Sequence, residues 1–371
     1  MILIFALPDD PSYQLISKIL KTKKIDHVRL HWSEYPKEFS LSFIDTKAFL
    51  RFANKLDLLD LSKITTVWEW RTGSRPTSFS HFGEYSAFYC ESFTVIRNAL
   101  YHYMPNAYYL QDPALLDLAE NKIIQLDIAK KVNLKIPSTY IGNSPHDAKT
   151  FMLDFNYIAL KQLTYFPNYY KLNMFSKLLY HFLKKLLNLP FVKAFKIQFH
   201  FPDEKDLQFI LASEAFTKKI ACNDLANRLE LLQLYPEIIQ EYIEKKIELR
   251  VTIVNNKIFS AAIHSQESKL TSIDWRAGYN EKYIPKHEKY QLPKHIEDKC
   301  IEFLKLQGLT YGAMDFIVTP EGDYIFLENN PFGQWLWIQE ALGYPIAETI
   351  VETLLSKAKP PPATAENQTI S

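Results

Sequence analysis

Glycine is scarce in this chain. Nine are spread over 371 residues, and none lies between Gly142 and Gly278. That gap excludes a glycine-rich dinucleotide fingerprint or a Walker A loop in the middle of the sequence. Phosphate held there must be held by side chains or by non-glycine backbone. Cysteine is scarcer still. Cys90, Cys222 and Cys300 stand far apart and are odd in number, so they offer neither metal-ligand spacing nor a disulfide framework. A reducing cytoplasm is the compartment this suits. Long apolar runs are missing too: no stretch of roughly 18 uncharged apolar residues occurs, and no membrane span is expected. The chain opens directly on Ile2-Leu3-Ile4-Phe5, without the basic flank and apolar run of a signal peptide. Charge of one sign is also lacking. Lys and Arg number 43 against 42 Asp and Glu, a formal net charge of +1, so global charge points to no nucleic-acid or membrane partner.

With 47% hydrophobic residues, the chain can bury a sizeable core, and its length predicts two or three domains. Ile2 to Phe5 reads as a strand and Ser12 to Lys23 as a helix. Strands His27 to Trp32 and Thr65 to Trp70 are followed by a helix over Glu84 to Tyr103. This alternation predicts a parallel α/β layer, placed at 1–112. Pro113 disfavours helix at Asp112 and marks the boundary. Ala114 to Val132 then has helical period. Asn156 to Leu160 reads as a buried strand ending at Lys161. Ile238 to Ile243, Glu248 to Val254 and Lys257 to Ser265 read as strands. Asn255-Asn256, which tolerate positive φ, join the last two. Pro293 to Gln307 is helical. Tyr311 to Thr319 and Asp323 to Glu328 are strands joined at Pro320-Glu321-Gly322, and a helix over Pro345 to Lys357 follows. The second and third domains are placed at 113–240 and 241–357, with a disordered tail over 358–371.

Residues 155–202 carry seven Lys and two His but no Asp or Glu. Within them Phe175 to Leu189 reads as a basic amphipathic helix. Either it packs on its own domain with a solvated Lys face, or it meets phosphate, an acidic peptide or a membrane surface.

The strongest chemical signal is Asp315, Glu328 and Asn330. Glu328 and Asn330 are two apart at a strand end and share a face. A turn near residue 321 brings Asp315 opposite the Glu328 region. Two carboxylates and an amide oxygen are hard donors suited to Mg²⁺ carrying nucleotide phosphates. Both acids are flanked by apolar residues and are costly to bury without a cation. A second signal runs from Gln240 to Arg250, where Glu241 and Glu248 bracket a kink between strands. An extended hinge offers backbone N–H and C=O groups to an adenine edge, and a carboxylate further on can accept from ribose hydroxyls. Lys122, in a helix, and Lys161, at a strand end, suit phosphate, though each taken singly is as readily a surface lysine.

Taken in order, these elements resemble the ATP-grasp superfamily over about residues 110–357. The spacing from Asp315 to Glu328 to Asn330 is similar to that of D-alanine–D-alanine ligases. A closer resemblance lies in Ala262-Ile263-His264-Ser265-Gln266, in Ser272-Ile273-Asp274-Trp275-Arg276, and in Leu327 to Trp335. These strings resemble the grasp-with-spasm and microviridin-type ligases, which make graspetides. The resemblance implies an ATP-grasp fold with an N-terminal α/β domain, a central lid domain and a C-terminal α+β domain. It implies an enzyme that uses Mg-ATP to phosphorylate Asp or Glu side chains of a ribosomally made precursor peptide. Ser, Thr or Lys side chains of that peptide then close ω-ester or ω-amide rings. The expected partner is a leader with a core rich in Thr/Ser and Asp/Glu, and the expected assembly is a homodimer. Carried over residue by residue, Lys122 and Lys161 hold phosphates, and Glu241, Tyr242 and Ile243 meet adenine. Glu248 meets ribose, and Asp315, Glu328 and Asn330 hold Mg²⁺. Arg250 and Arg276 handle the transferring phosphate and the substrate carboxylate, and Asp274 orients Arg276 or steers the attacking hydroxyl. The sequence departs from the pattern in two places. The glycine-rich lid is replaced by the Lys-rich segment 162–205. Ala313 stands where many D-alanine ligase relatives have Arg, so Arg250 or Arg276 must cover that role. Two other readings stay open: a ligase adding a free amino acid to a peptide or small acid, and an ATP-binding protein without turnover.

Overall fold

The computed structural model describes residues 1–54, 58–70, 86–161, 163, 217–226, 229–233 and 236–358. Apart from residues 163 and 358, the Lys-rich segment 162–205, with its basic helix, and the tail 358–371 lie outside the described residues.

β1 (Ile2–Phe5) leads through α1 (Pro11–Thr22) to β2 (His27–Leu30). Asp10 caps α1 by accepting from the Tyr13 N–H at 2.9 Å, and Pro11 occupies the first turn. An antiparallel meander follows: β3 (Phe39–Ile44), β4 (Lys47–Phe52) and β5 (Leu58–Asp60). Its signal is the alternation Phe39-Ser40-Leu41-Ser42-Phe43, which the sequence reading did not use. The chain continues through β6 (Thr66–Glu69), α2 (Ser86–His102) and β7 (Tyr108–Tyr109). The strands lie in the order β2-β1-β6-β7 and are all parallel, as expected. β1 is apolar at every position because both its faces are covered. Leu3 and Phe5 pack with Trp32, Phe93 and Leu100, while Ile2 and Ile4 pack with Leu20, Trp68, Trp70 and Ile350.

The single helix expected over Ala114 to Val132 is two: α3 (Pro113–Ala119) and α4 (Lys122–Lys131). Asp112 caps the first. Asn121 restarts the second by accepting from the Ile123 and Ile124 N–H groups. Lys122 is thereby the first residue of α4.

β8 (Thr139–Gly142), α5 (Pro145–Met152), β9 (Tyr157–Lys161), β10 (Lys218–Ala221), α6 (Cys222–Ala226) and β11 (Glu237–Glu241) come next. Their sheet has the order β10-β9-β11-β8 and is antiparallel throughout. Ala148, Met152, Ile158, Leu160, Leu225 and Ile239 form its core.

A five-stranded antiparallel sheet completes the fold: β12 (Ile247–Val254), β13 (Lys257–Ile263), β14 (His287–Lys289), β15 (Tyr311–Val318) and β16 (Tyr324–Asn330). Their order is β14-β13-β12-β15-β16. Asn255 and Asn256 take φ of 47° and 65° in the β12–β13 turn, and Gly322 takes 91° in the β15–β16 turn. α7 (Lys294–Leu306) buries Ile296, Cys300, Phe303 and Leu304. α8 (Leu336–Leu342), which the sequence reading missed, and α9 (Ile346–Ser356) follow. No described helix is long and apolar enough to cross a membrane.

The chain divides into two compact units. One comprises Met1–Ile136, Ile247–Ile263 and His287–Ser371; the other comprises Pro137–Lys246 and His264–Lys286. Residues 1–112 and most of 241–357 share a unit because Ile2, Ile4, Trp68 and Trp70 pack into one core with Val254, Tyr311, Trp335 and Ile350.

Candidate active site

In the first unit, the large sheet gathers charge on one face. Arg250 of β12 pairs in register with Asp315 of β15, and Asp315 pairs with Glu328 of β16. Directly opposed residues of antiparallel strands put their side chains on the same face. The second pairing depends on a β-bulge. Phe316 pairs with Phe326 but Asp315 pairs with Glu328, so Leu327 is the extra residue. A regular hairpin would set Leu327 against Asp315.

The resulting contacts are close. Arg250 Nη1 donates to Asp315 Oδ2 at 3.2 Å, and Asn330 Nδ2 lies 3.1 Å from Asp315 Oδ2 and 3.4 Å from Glu328 Oε1. Lys122 Nζ stands 3.2 Å from Glu328 Oε2. Asn330 thus sits with its amide between the two carboxylates. A half turn of that amide would present its oxygen instead, giving three hard donors to one point. The Arg250 Nε is buried and finds no hydrogen-bond partner among the described residues. An orphaned guanidinium N–H beside two acids and an amide fits a site made for phosphate oxygens and a divalent cation. Among the described residues no group of three or more His, Cys, Asp or Glu could hold a metal ion. Glu248 is two residues from Arg250 along β12 and lies on the same face.

Two supports went unnoticed in the sequence. Gln125 of α4 is buried and clips that helix to the end of β16. Its amide nitrogen donates to the Asn329 carbonyl at 2.7 Å, and its oxygen accepts from the Asn329 N–H at 2.8 Å. This clip sets Lys122, one turn earlier, over Glu328. Gly333 packs so closely on β15 that a Cβ there would meet Ala313 Cβ at 2.3 Å. Ala313 is fully buried, so an arginine does not fit at that position. Arg250 reaches it from the neighbouring strand, with Nη1 3.4 Å from the Ala313 carbonyl.

The second unit carries the other predicted residues. Lys161 ends β9, half-buried, opposite Ile238 of β11. Glu241 ends β11; its N–H donates to the Ser138 carbonyl at 2.9 Å, and its carboxylate accepts from the Ser138 N–H at 3.3 Å. Tyr242 and Ile243 follow, both half-buried. Lys245, which the sequence reading passed over, is buried and donates to the Ile273 carbonyl at 2.7 Å. Asp274 and Arg276 form a fork. Arg276 Nε and Nη2 donate to the two oxygens of Asp274 at 2.9 and 2.6 Å, and the Thr217 N–H adds a bond at 3.1 Å. Burial raises the Asp274 carboxyl, but the hydrogen bonds and charge of Arg276 outweigh it and hold it below the ordinary carboxylate range. Asp274 therefore stays ionised in its pairing with Arg276.

No protein-family model matches the chain. An uncharacterised protein of Mycoplasma genitalium is 32% identical over 96 residues, which are 25% of this chain and 31% of the other. Solved structures resemble it over far more. A Chryseobacterium gregarium RiPP-associated ATP-grasp ligase, in complex with ADP and a leader and core peptide, is 27% identical. It matches with a TM-score of 0.73 over 96% of this chain and 97% of the other. The macrocyclase MdnC from Microcystis aeruginosa, bound with precursor peptide MdnA, is 26% identical, with a TM-score of 0.72 over 96% and 99%. The ATP-grasp ligase PsnB, complexed with minimal precursor, Mg and ADP, shares the fold at 17% identity and a TM-score of 0.70 over 96% and 97%. The chain therefore has the ATP-grasp ligase fold, and in sequence and extent it resembles the RiPP-associated members of that group.

Proposed function

We propose that the chain is an ATP-dependent peptide maturase that cross-links a ribosomally made precursor. The observation that carries this is the gathering of Lys122, Arg250, Asp315, Glu328 and Asn330 on one sheet face. The full-length likeness to ligases solved with ADP or precursor peptide supports it. Asp315, Glu328 and Asn330 would hold Mg²⁺, which neutralises phosphate charge when bound. Lys122 and Lys161 would hold phosphates, Glu241, Tyr242 and Ile243 would meet adenine, and Glu248 would meet ribose.

A carboxylate is a poor electrophile and its phosphoric anhydride a good one. An Asp or Glu side-chain oxygen of the peptide would attack the γ-phosphorus of ATP, releasing ADP. A Ser or Thr hydroxyl, or a Lys amine, of the same peptide would then attack the carbonyl carbon. Phosphate leaves, a proton is lost, and an ω-ester or ω-amide remains. Arg250 and the Asp274-oriented Arg276 would bind the carboxylate and the transferring phosphoryl group, whose charge moves during transfer.

The finer reading has an N-terminal α/β domain over 1–112, a central lid segment over 113–240 and a metal-bearing segment over 241–357. A core rich in Thr/Ser and Asp/Glu, a homodimer and a cytoplasmic setting complete it. The test is Asp315→Ala and Glu328→Ala, assayed for ADP release and for peptide mass. Both should abolish turnover with the fold intact. Near-normal ADP release by either at saturating Mg²⁺ would remove the metal assignment.

A further inference from the structure

Lys219 of β10 holds its ammonium group against two aromatic rings. Nζ lies 3.9 Å from the Tyr242 ring centroid and 4.7 Å from that of Tyr157, and donates to Glu244 Oε1 at 2.8 Å. Strand register explains the arrangement. Lys219 pairs with Ala159 and Ala221 with Tyr157, so Lys219 and Tyr157 are diagonal neighbours on one face. Burial lowers the Lys219 ammonium's affinity for its proton, but Glu244 and the two tyrosines outweigh it and the group stays charged.

Tyr242 and Glu244 both belong to the segment that follows Glu241, the last residue of β11, and that includes Ile243. That segment is tied down on its other sides as well. The Glu241 N–H bonds to Ser138, the Tyr242 N–H lies 3.4 Å from the Tyr157 carbonyl, and Lys245 bonds to Ile273. An extended segment that must present its backbone to a base loses conformational freedom on binding unless it is ordered beforehand. Lys219 is the one side chain among these contacts that grips two of the segment's side chains at once.

We propose that Lys219 is a positioning residue for the nucleotide: it clamps Tyr242 and Glu244 and so pre-orders the Glu241–Ile243 backbone that meets adenine. This rests on the ATP-dependent reading above. The lysine touches no nucleotide atom; it acts through Tyr242.

The test is calorimetric titration of the full chain with Mg-ADP, beside the thermal midpoint of the nucleotide-free protein. Lys219→Met keeps the stem and removes the charge. It should weaken ADP about tenfold while the midpoint holds, and Lys219→Arg should return affinity to within about threefold, since a guanidinium also stacks on a ring. Tyr242→Leu should weaken ADP similarly, and the double variant should be little worse than either single, because both remove one contact. If the parent binds ADP and Lys219→Met binds it equally well, the clamp is overturned and the functional reading stands. If the parent binds no nucleotide, both fall. A loss that Lys219→Arg fails to restore, or that adds fully to the Tyr242→Leu loss, also overturns the clamp. Should Lys219→Met not fold, Tyr242→Leu and Lys219→Arg read the same contact from its two sides.

Discussion

At the scale of single residues, two acids respond to pH in opposite directions. Asp274 is held below its ordinary pKa despite burial, because Arg276 and the Thr217 N–H bond its charged form. Its contribution is complete above the unfolded value and is lost as pH falls through the folded one. Asp274→Asn should destabilise the protein by about 1–3 kcal/mol at neutral pH, less than a fully buried pair would cost, since Arg276 is 42% exposed. The gap to the parent should close as pH falls below about 4, as calorimetry at several pH values would show. Glu69 behaves the other way. It ends β6 fully buried under Arg97 and Tyr101, whose hydroxyl donates to it. Burial pushes its carboxyl from 4.5 up to about 7, and Arg97 offsets only part of this. A raised carboxyl favours the fold below its unfolded pKa and loses that contribution as pH rises through the folded value. Between pH 4.5 and about 7 the parent should therefore lose about 3 kcal/mol relative to Glu69→Gln. Parallel pH profiles for the two proteins would contradict this.

At the scale of elements, the cluster around Asp315 depends on two devices outside its own residues. Gln125 joins α4 to β16, and its removal strands the buried Asn329 N–H and its carbonyl, while the Ala119 carbonyl keeps the Gln307 amide. Gln125→Ala should cost about 2–4 kcal/mol of stability and weaken ADP, because Lys122 loses its seat over Glu328. Unaltered melting would show that the clip is idle. The second device is the close approach of Gly333 to Ala313. Moving the arginine onto β15, as Arg250→Ala with Ala313→Arg, should fail to restore turnover lost in Arg250→Ala. It should also destabilise the core by at least about 1–3 kcal/mol from overpacking. An active double variant would show that the two positions are interchangeable. The strands around this cluster could be read from alternation and turn residues, and Asn255-Asn256 took the positive φ that their type allows. The break between α3 and α4 was not legible because apolar residues continue on both sides of Asn121, and only the cap shows the restart.

At the scale of the whole molecule, the competing readings differ in what is consumed and what is made. A maturase should release ADP only with its peptide present and yield a product lighter by one water for each bond, readable by mass spectrometry. Mild base should cleave an ester and spare an amide. ADP release with free amino acids and no peptide, or a product heavier by one residue, would select the free-substrate ligase. No ADP under any condition would select the binding protein.

The sequence by itself singled out the residues proposed here for the chemistry. Asp315, Glu328 and Asn330 stand out because acids flanked by apolar strand residues are costly to bury without a cation, and Lys122, Lys161 and Arg250 stand out as charge to compensate phosphate. It also determined the parallel N-terminal layer, through the alternation of strands and helices. Only the tertiary structure decided how those residues meet. Register depends on the bulge at Leu327, which no local pattern announces: the turn at residue 321 alone would place that leucine against Asp315. The division into units was likewise hidden. Trp68 and Trp335 share a core although they lie far apart along the chain, and a contact of that span leaves no trace in the periodicity of either segment.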